Sequence, residues 1–106
     1  MSREADGLHP STVVEPALSL QWISLDDEIV LFDPLRNKVY RFNGTGGFIW
    51  RCLEAGSTVG DIARHVGAQY RLSDESATET VDAFLNQLLE LGLLGAQTAS
   101  TRGLNR

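Results

Sequence analysis

The chain of 106 residues has one cysteine, Cys52, and two histidines, His9 and His65. A disulfide within the chain needs a second thiol and a structural zinc site needs a cluster of Cys and His ligands, so neither framework is on offer. A reducing cytoplasm suits such a composition. Long apolar runs are absent as well. The N-terminal stretch carries Arg3, Glu4, Asp6 and Glu15 with no apolar segment of signal-peptide length, and no run approaches the roughly 18 to 20 residues that span a bilayer. Basic charge is scarce: nine Lys and Arg against fourteen Asp and Glu give a formal net charge of -5, and the nine are scattered. That balance disfavours a polyphosphate partner.

Catalytic groupings are missing too. His9 lies in the N-terminal stretch, His65 stands next to Arg64 as a surface residue, and Cys52 falls on an apolar helical face as a small buried hydrophobe. No nucleophile, base and orienting group recur together, so neither catalytic residues nor a metal or cofactor site is predicted. Trp50 is expected to pack at the flank of the core, where an exposed indole would also suit a protein interface.

What is present fits one domain, with 42% hydrophobic residues. Residues 1–18 mix Ser, Pro, Gly, Glu and Ala without a period of 2 or 3.6 and are predicted to be a mobile tail, as are residues 97–106. The domain is then expected over residues 19–96. Leu20 to Leu25 and Glu28 to Phe32 are strand-like runs joined by Asp26-Asp27, a turn dipeptide. Asp33-Pro34-Leu35-Arg36-Asn37 makes the next turn, and Lys38 to Phe42 follows as a third strand at the edge of an antiparallel meander. Ile29 to Phe32 is apolar at every position, which suits a central strand covered on both sides; the second cover is the N-terminal tail, a second subunit in a homodimer or a partner protein.

From Asn43 the apolar period becomes helical. Asn43 or Thr45 is placed to cap a first helix ending at Gly56; Gly46-Gly47 weaken its first turn, and close approach of another backbone is one reason for glycine there. Ser57 or Thr58 caps a second, expected to be interrupted by Gly67, and Ser73 starts a third that Gly92 stops. In the third, Ala77, Val81, Phe84, Leu85, Leu88 and Leu89 recur at three and four residues, and Leu93-Leu94 return as a short extended end. The predicted fold is α+β and winged-helix-like: a three-stranded antiparallel sheet followed by three helices.

Five landmarks in order carry a family resemblance: Val39-Tyr-Arg-Phe-Asn43, Phe48-Ile-Trp50, Thr58-Val-Gly-Asp-Ile62, Val81-Asp-Ala-Phe-Leu85 and Gly92-Leu-Leu94. Over residues 20–94 the chain resembles the PqqD family. Gly46-Gly47 departs from it, since small alanine-type residues are usual there. The resemblance implies a peptide chaperone that holds the leader of a ribosomally made precursor as an added strand and presents it to a modifying enzyme, often of the radical S-adenosylmethionine class. It places the leader on Lys38, Val39, Tyr40, Arg41 and Phe42, against the exposed border of Ser73 to Leu91. Tyr40, Phe42, Val81, Leu85 and Leu89 are then expected around the groove between strand and helix, with Arg41 available to a leader carboxylate and Asp82 to a basic leader residue.

Plainer readings stand beside this one. Tyr40 and Phe42 are also ordinary core residues, Lys38 and Arg41 also deter edge-to-edge aggregation, and Asp82 is also a solvated surface charge. The alternative function is a winged-helix DNA-binding regulator. Its recognition helix would be residues 73–91, which hold Asp74, Glu75, Glu79, Asp82 and Glu90 and neither Lys nor Arg, so phosphates would repel it.

Overall fold

The computed structural model describes residues 8–97. Strands β1 (Val13–Pro16), β2 (Gln21–Leu25), β3 (Glu28–Asp33) and β4 (Lys38–Asn43) precede helices α1 (Gly44–Glu54), α2 (Val59–Tyr70) and α3 (Asp74–Glu90), and β5 (Leu94–Gln97) closes the order. β2, β3 and β4 form an antiparallel meander with β3 in the centre, and β1 pairs with β5 in a separate antiparallel ribbon. The expected α+β arrangement of a three-stranded sheet followed by three helices is therefore present.

Both turns of the meander use the chemistry their sequences suggest. Asp26 takes φ 54° between β2 and β3, and Asn37 takes φ 56° before β4, a region that Asp and Asn tolerate better than most residues. Arg51 of α1 donates to the Asp26 carbonyl at 2.6 Å and to Ser24 Oγ at 3.1 Å, fastening the first turn to the helix. The helix ends also follow the sequence. Thr58 Oγ1 accepts from the Asp61 amide and Ser73 Oγ from the Ser76 amide, each at 3.1 Å, while Asn43 caps α1 by backbone geometry without a side-chain bond. Gly67 does not interrupt α2, which runs on to Tyr70; its carbonyl accepts the amides of Arg71 and Leu72, and Arg71 makes the left-handed exit at φ 58°.

The N-terminal segment differs most from expectation. Residues 13–16, predicted to be tail, pair with residues 94–97, and Val14 is buried at 1% exposure. Just before them, the carbonyls of Pro10 and Thr12 accept the amides of Gly60 and Val59, each at 2.9 Å, so the segment satisfies free donors at the start of α2. Gly60 permits this approach, since a Cβ there would lie 3.2 Å from the Pro10 carbonyl oxygen. The rest of the predicted tails, residues 1–7 and 98–106, lies outside the described residues.

The core lies between the sheet's inner face and the helices. Ile29, Leu31, Ile49, Trp50, Ile62 and Leu85 are all at 0% exposure. Trp50 is thus at the centre of the core, with its ring 5.3 Å from that of Trp22 and 5.9 Å from that of Phe42. Cys52 is half-buried, which pushes its thiol up, and His65 is exposed. Among the described residues, β3 is covered on one face only. Val30 and Phe32 are half-buried on the outer face, where their neighbours Ile23 and Val39 stand 57% and 62% exposed, and β1 does not cover them because it has joined β5.

Candidate functional site

β4 pairs with β3 along one side, and among the described residues no strand pairs with its other side, a sheet edge that presents backbone donors and acceptors. The register divides its side chains between two faces. Lys38, Tyr40 and Phe42 stand opposite Asp33, Leu31 and Ile29, whose side chains are buried, and so point to the helical side. Val39 and Arg41 stand opposite Phe32 and Val30 on the outer face. There Arg41 Nε lies 3.4 Å from Glu28 Oε2 in an exposed pair, a type of contact that contributes little to stability.

On the helical side the strand meets α3 through one aromatic contact. Phe42 and Phe84 lie edge to face, with centroids 5.3 Å apart. Gly46 makes room for this, because a Cβ there would be 3.1 Å from the Phe84 ring. At the other end of the strand, the Arg36 guanidinium lies 2.6 Å from where a Cβ on Gly92 would stand, so the start of β4 lies by the end of α3. Strand and helix therefore run in opposite directions, and the space between them, bordered by the half-buried Tyr40, Phe42 and Phe84, is termed the groove.

Helical spacing of about 3.6 residues per turn decides which α3 side chains border that groove. Phe84, Gln87 and Leu91 share the flank that faces β4, with Leu91 39% exposed. Of the α3 residues predicted for the site, Val81 and Leu85 are fully buried beneath the groove, where they seat the helix on the core. Asp82 and Leu89, seven residues apart, share the other flank. The Leu8 backbone N–H donates to the Asp82 carboxylate, and Leu89 packs against the core's edge. The structure thus gathers Lys38, Tyr40 and Phe42 at the groove and separates Asp82, Leu89, Val39 and Arg41 from it. Phe84 was visible in the sequence as one of the apolar helical positions, but periodicity alone does not tell which flank meets the strand.

Among the described residues, three groups have perturbed acidities. Burial pushes the Asp33 carboxyl up, but the Arg36 side chain at 3.0 Å and the amides of Arg36 and Leu35 outweigh it and hold the carboxyl below its ordinary value. Asp33 thereby braces the turn that leads into β4. Burial pushes the Asp82 carboxyl up, and the Leu8 amide offsets part of that. Cys52 is raised by burial alone. None of these borders the free edge with a nucleophile or base beside it. Among the described residues, no group of three or more His, Cys, Asp and Glu is placed to hold a metal ion, and no helix is long and apolar enough to cross a membrane.

Two solved structures share this fold. One is described as TbiB1 in complex with the TbiA(beta) leader peptide: 24% identity, TM-score 0.73, covering 76% of this chain and 93% of that one. The other is a lasso peptide synthetase B1 complexed with the leader peptide: 20% identity, TM-score 0.72, covering 78% of this chain and 98% of that one. No curated protein matches the chain. The family model for coenzyme PQQ synthesis protein D (PqqD) matches residues 28–94, from the central strand of the meander to the start of β5. On that match, which spans more than half of the sequence, the chain belongs to the PqqD family.

Proposed function

We propose that the chain is a peptide chaperone, which binds the leader of a ribosomally made precursor as an added strand on β4 and presents it to a modifying enzyme without catalysing a reaction itself. The observation that carries this reading is the edge of β4 that no other described strand pairs, with the Phe42–Phe84 contact beside it. Membership of the PqqD family and likeness to two structures described with leader peptides support it. The partner enzyme is proposed to be of the radical S-adenosylmethionine class.

The energetics explain why an edge alone is not enough. Each backbone hydrogen bond to a guest nets about 0.5 to 1.5 kcal/mol. Ordering a flexible segment costs about 2 to 5 kcal/mol, and lost translational freedom adds to that. Affinity and selectivity must come from guest side chains seated in the groove. Tyr40, Phe42, Phe84 and Leu91 offer the apolar surface, and Val81 and Leu85 act from below by fixing the helix in place.

The DNA-binding alternative draws no support from this geometry, since α3 carries five carboxylates and no cation. The test is an NMR titration of the chain with the leader of a precursor encoded beside its gene. Amide shifts over residues 38–42 and along the Phe84 flank of α3 are expected. Shifts confined to α1 and the chain ends, with residues 38–42 silent, would overturn the proposal.

A further inference from the structure

The groove presents a patterned surface, and the pattern specifies a guest. Along the helical side of β4 the side chains are Lys38, Tyr40 and Phe42, spaced two residues apart. The Lys38 side chain is exposed and has no hydrogen-bonding or ion-pair partner among the described residues, whereas its neighbour Arg36 is engaged by Asp33 and Arg41 is held on the opposite face by Glu28. One cation is thus unpaired at one end of the groove. At the other end lies the Phe42–Phe84 pair.

A strand added to β4 places alternate side chains into the groove and opposite these residues. The pairs already present in both sheets are all antiparallel, the more stable mode per residue. An antiparallel guest meets Phe42 first, Tyr40 two residues later and Lys38 two residues after that. Resting on the strand-addition reading, we propose that Lys38 selects leaders with the pattern apolar-x-apolar-x-acidic, the carboxylate facing the Lys38 ammonium. Arg41, on the outer face, takes no part in this choice.

The test uses the full chain and random dodecapeptides displayed on phage, panned against the wild type, Lys38→Glu and Arg41→Gln. The wild type and Arg41→Gln are expected to enrich Asp or Glu two positions after an apolar-x-apolar pair. Lys38→Glu is expected to keep the apolar pair and to replace the acidic residue with Lys or Arg. With a selected peptide made synthetically, replacing its acidic residue by the amide should weaken binding about 3- to 5-fold, as an exposed ion pair allows. The same peptide should bind Lys38→Glu more weakly still, and a peptide with Lys at that position should recover the loss.

Peptides that shift the amides of residues 38–42 but show the same residue preferences with wild type and Lys38→Glu would overturn the Lys38 assignment and leave strand addition standing. Selection of no peptide, or of peptides whose shifts bypass residues 38–42, would overturn both.

Discussion

Phe42 and Phe84 meet edge to face, with ring centroids 5.3 Å apart and planes at 83°. Aromatic pairs favour this geometry because the positive ring edge faces the negative ring face. The contact joins the end of an edge strand to the middle of the longest helix, and so sets the width of the groove between them. Phe42 also leans on Trp50, so the groove wall is continuous with the core.

Replacing Phe84 by Ala should separate the two roles of that ring. It is half-buried, so the loss of stability should fall below that of a fully buried Phe, at about 1 to 3 kcal/mol. Leader binding should fall by at least tenfold, because the groove loses its wall. Phe84→Leu should restore most of the stability, seen as the urea midpoint, but only part of the affinity. Equal recovery of both would show that the ring acts only through folding.

The adjacent glycines of α1 should respond differently to Ala. A Cβ on Gly47 would meet two backbone oxygens, those of Phe42 at 3.1 Å and Asp27 at 3.2 Å, and neither is free to swing away. Gly47→Ala should therefore destabilise the chain by about 1 to 3 kcal/mol, as overpacking does. Gly46→Ala meets only the Phe84 side chain within 3.4 Å, and gains up to about 1 kcal/mol of helix propensity. Its urea midpoint should move little while its leader affinity drops, because the displaced ring enters the groove.

These glycines show what the sequence made legible. Their weak helix propensity allowed for a close backbone approach, which Asp27 and Phe42 make at Gly47, while Gly46 meets the Phe84 ring instead. Strand and helix positions followed from apolar period and turn residues, because those signals are local. The strand β1 was not legible, since Val13-Val14 lies between prolines and its stability comes from β5, about 80 residues away. Of the candidate site, the strand was legible, but the flank of α3 that faces it was not. Alternation separates Tyr40 from Arg41 in any strand, yet only the register against buried Leu31 and Asp33 tells which of them faces the helices.

Asp33 and Asp82 should affect stability with opposite pH dependence. Asp33 is held below its ordinary value, so its contribution is complete above the unfolded-state pKa near 4 and is lost as pH falls through the lower folded value. Asp82 is raised, so its ionised form costs stability above the folded value, and that cost disappears as pH falls towards about 4. Asp33→Asn should lower the melting temperature at pH 7, with the gap to wild type narrowing in acid. Asp82→Asn, whose amide oxygen still accepts the Leu8 N–H, should raise it at pH 7 and converge with wild type below about pH 4. Thermal melts from pH 3 to 7 would check both signs.

Removing residues 1–18 tests whether the N-terminal segment is a tail or part of the fold. A tail could be cut without consequence. In the structure the cut removes buried Val14, worth about 1.5 to 3 kcal/mol, and the Pro10 and Thr12 carbonyls that satisfy α2, worth about 1 kcal/mol each. It also removes the strand that pairs with β5 among the described residues. The shortened chain should lose at least about 3 kcal/mol in urea denaturation, a large share of what a small domain has. Gly60→Ala, which pushes on Pro10 without removing anything, should give a smaller loss in the same direction. If both variants melted like the full chain, the ribbon of β1 and β5 would not contribute to the folded state.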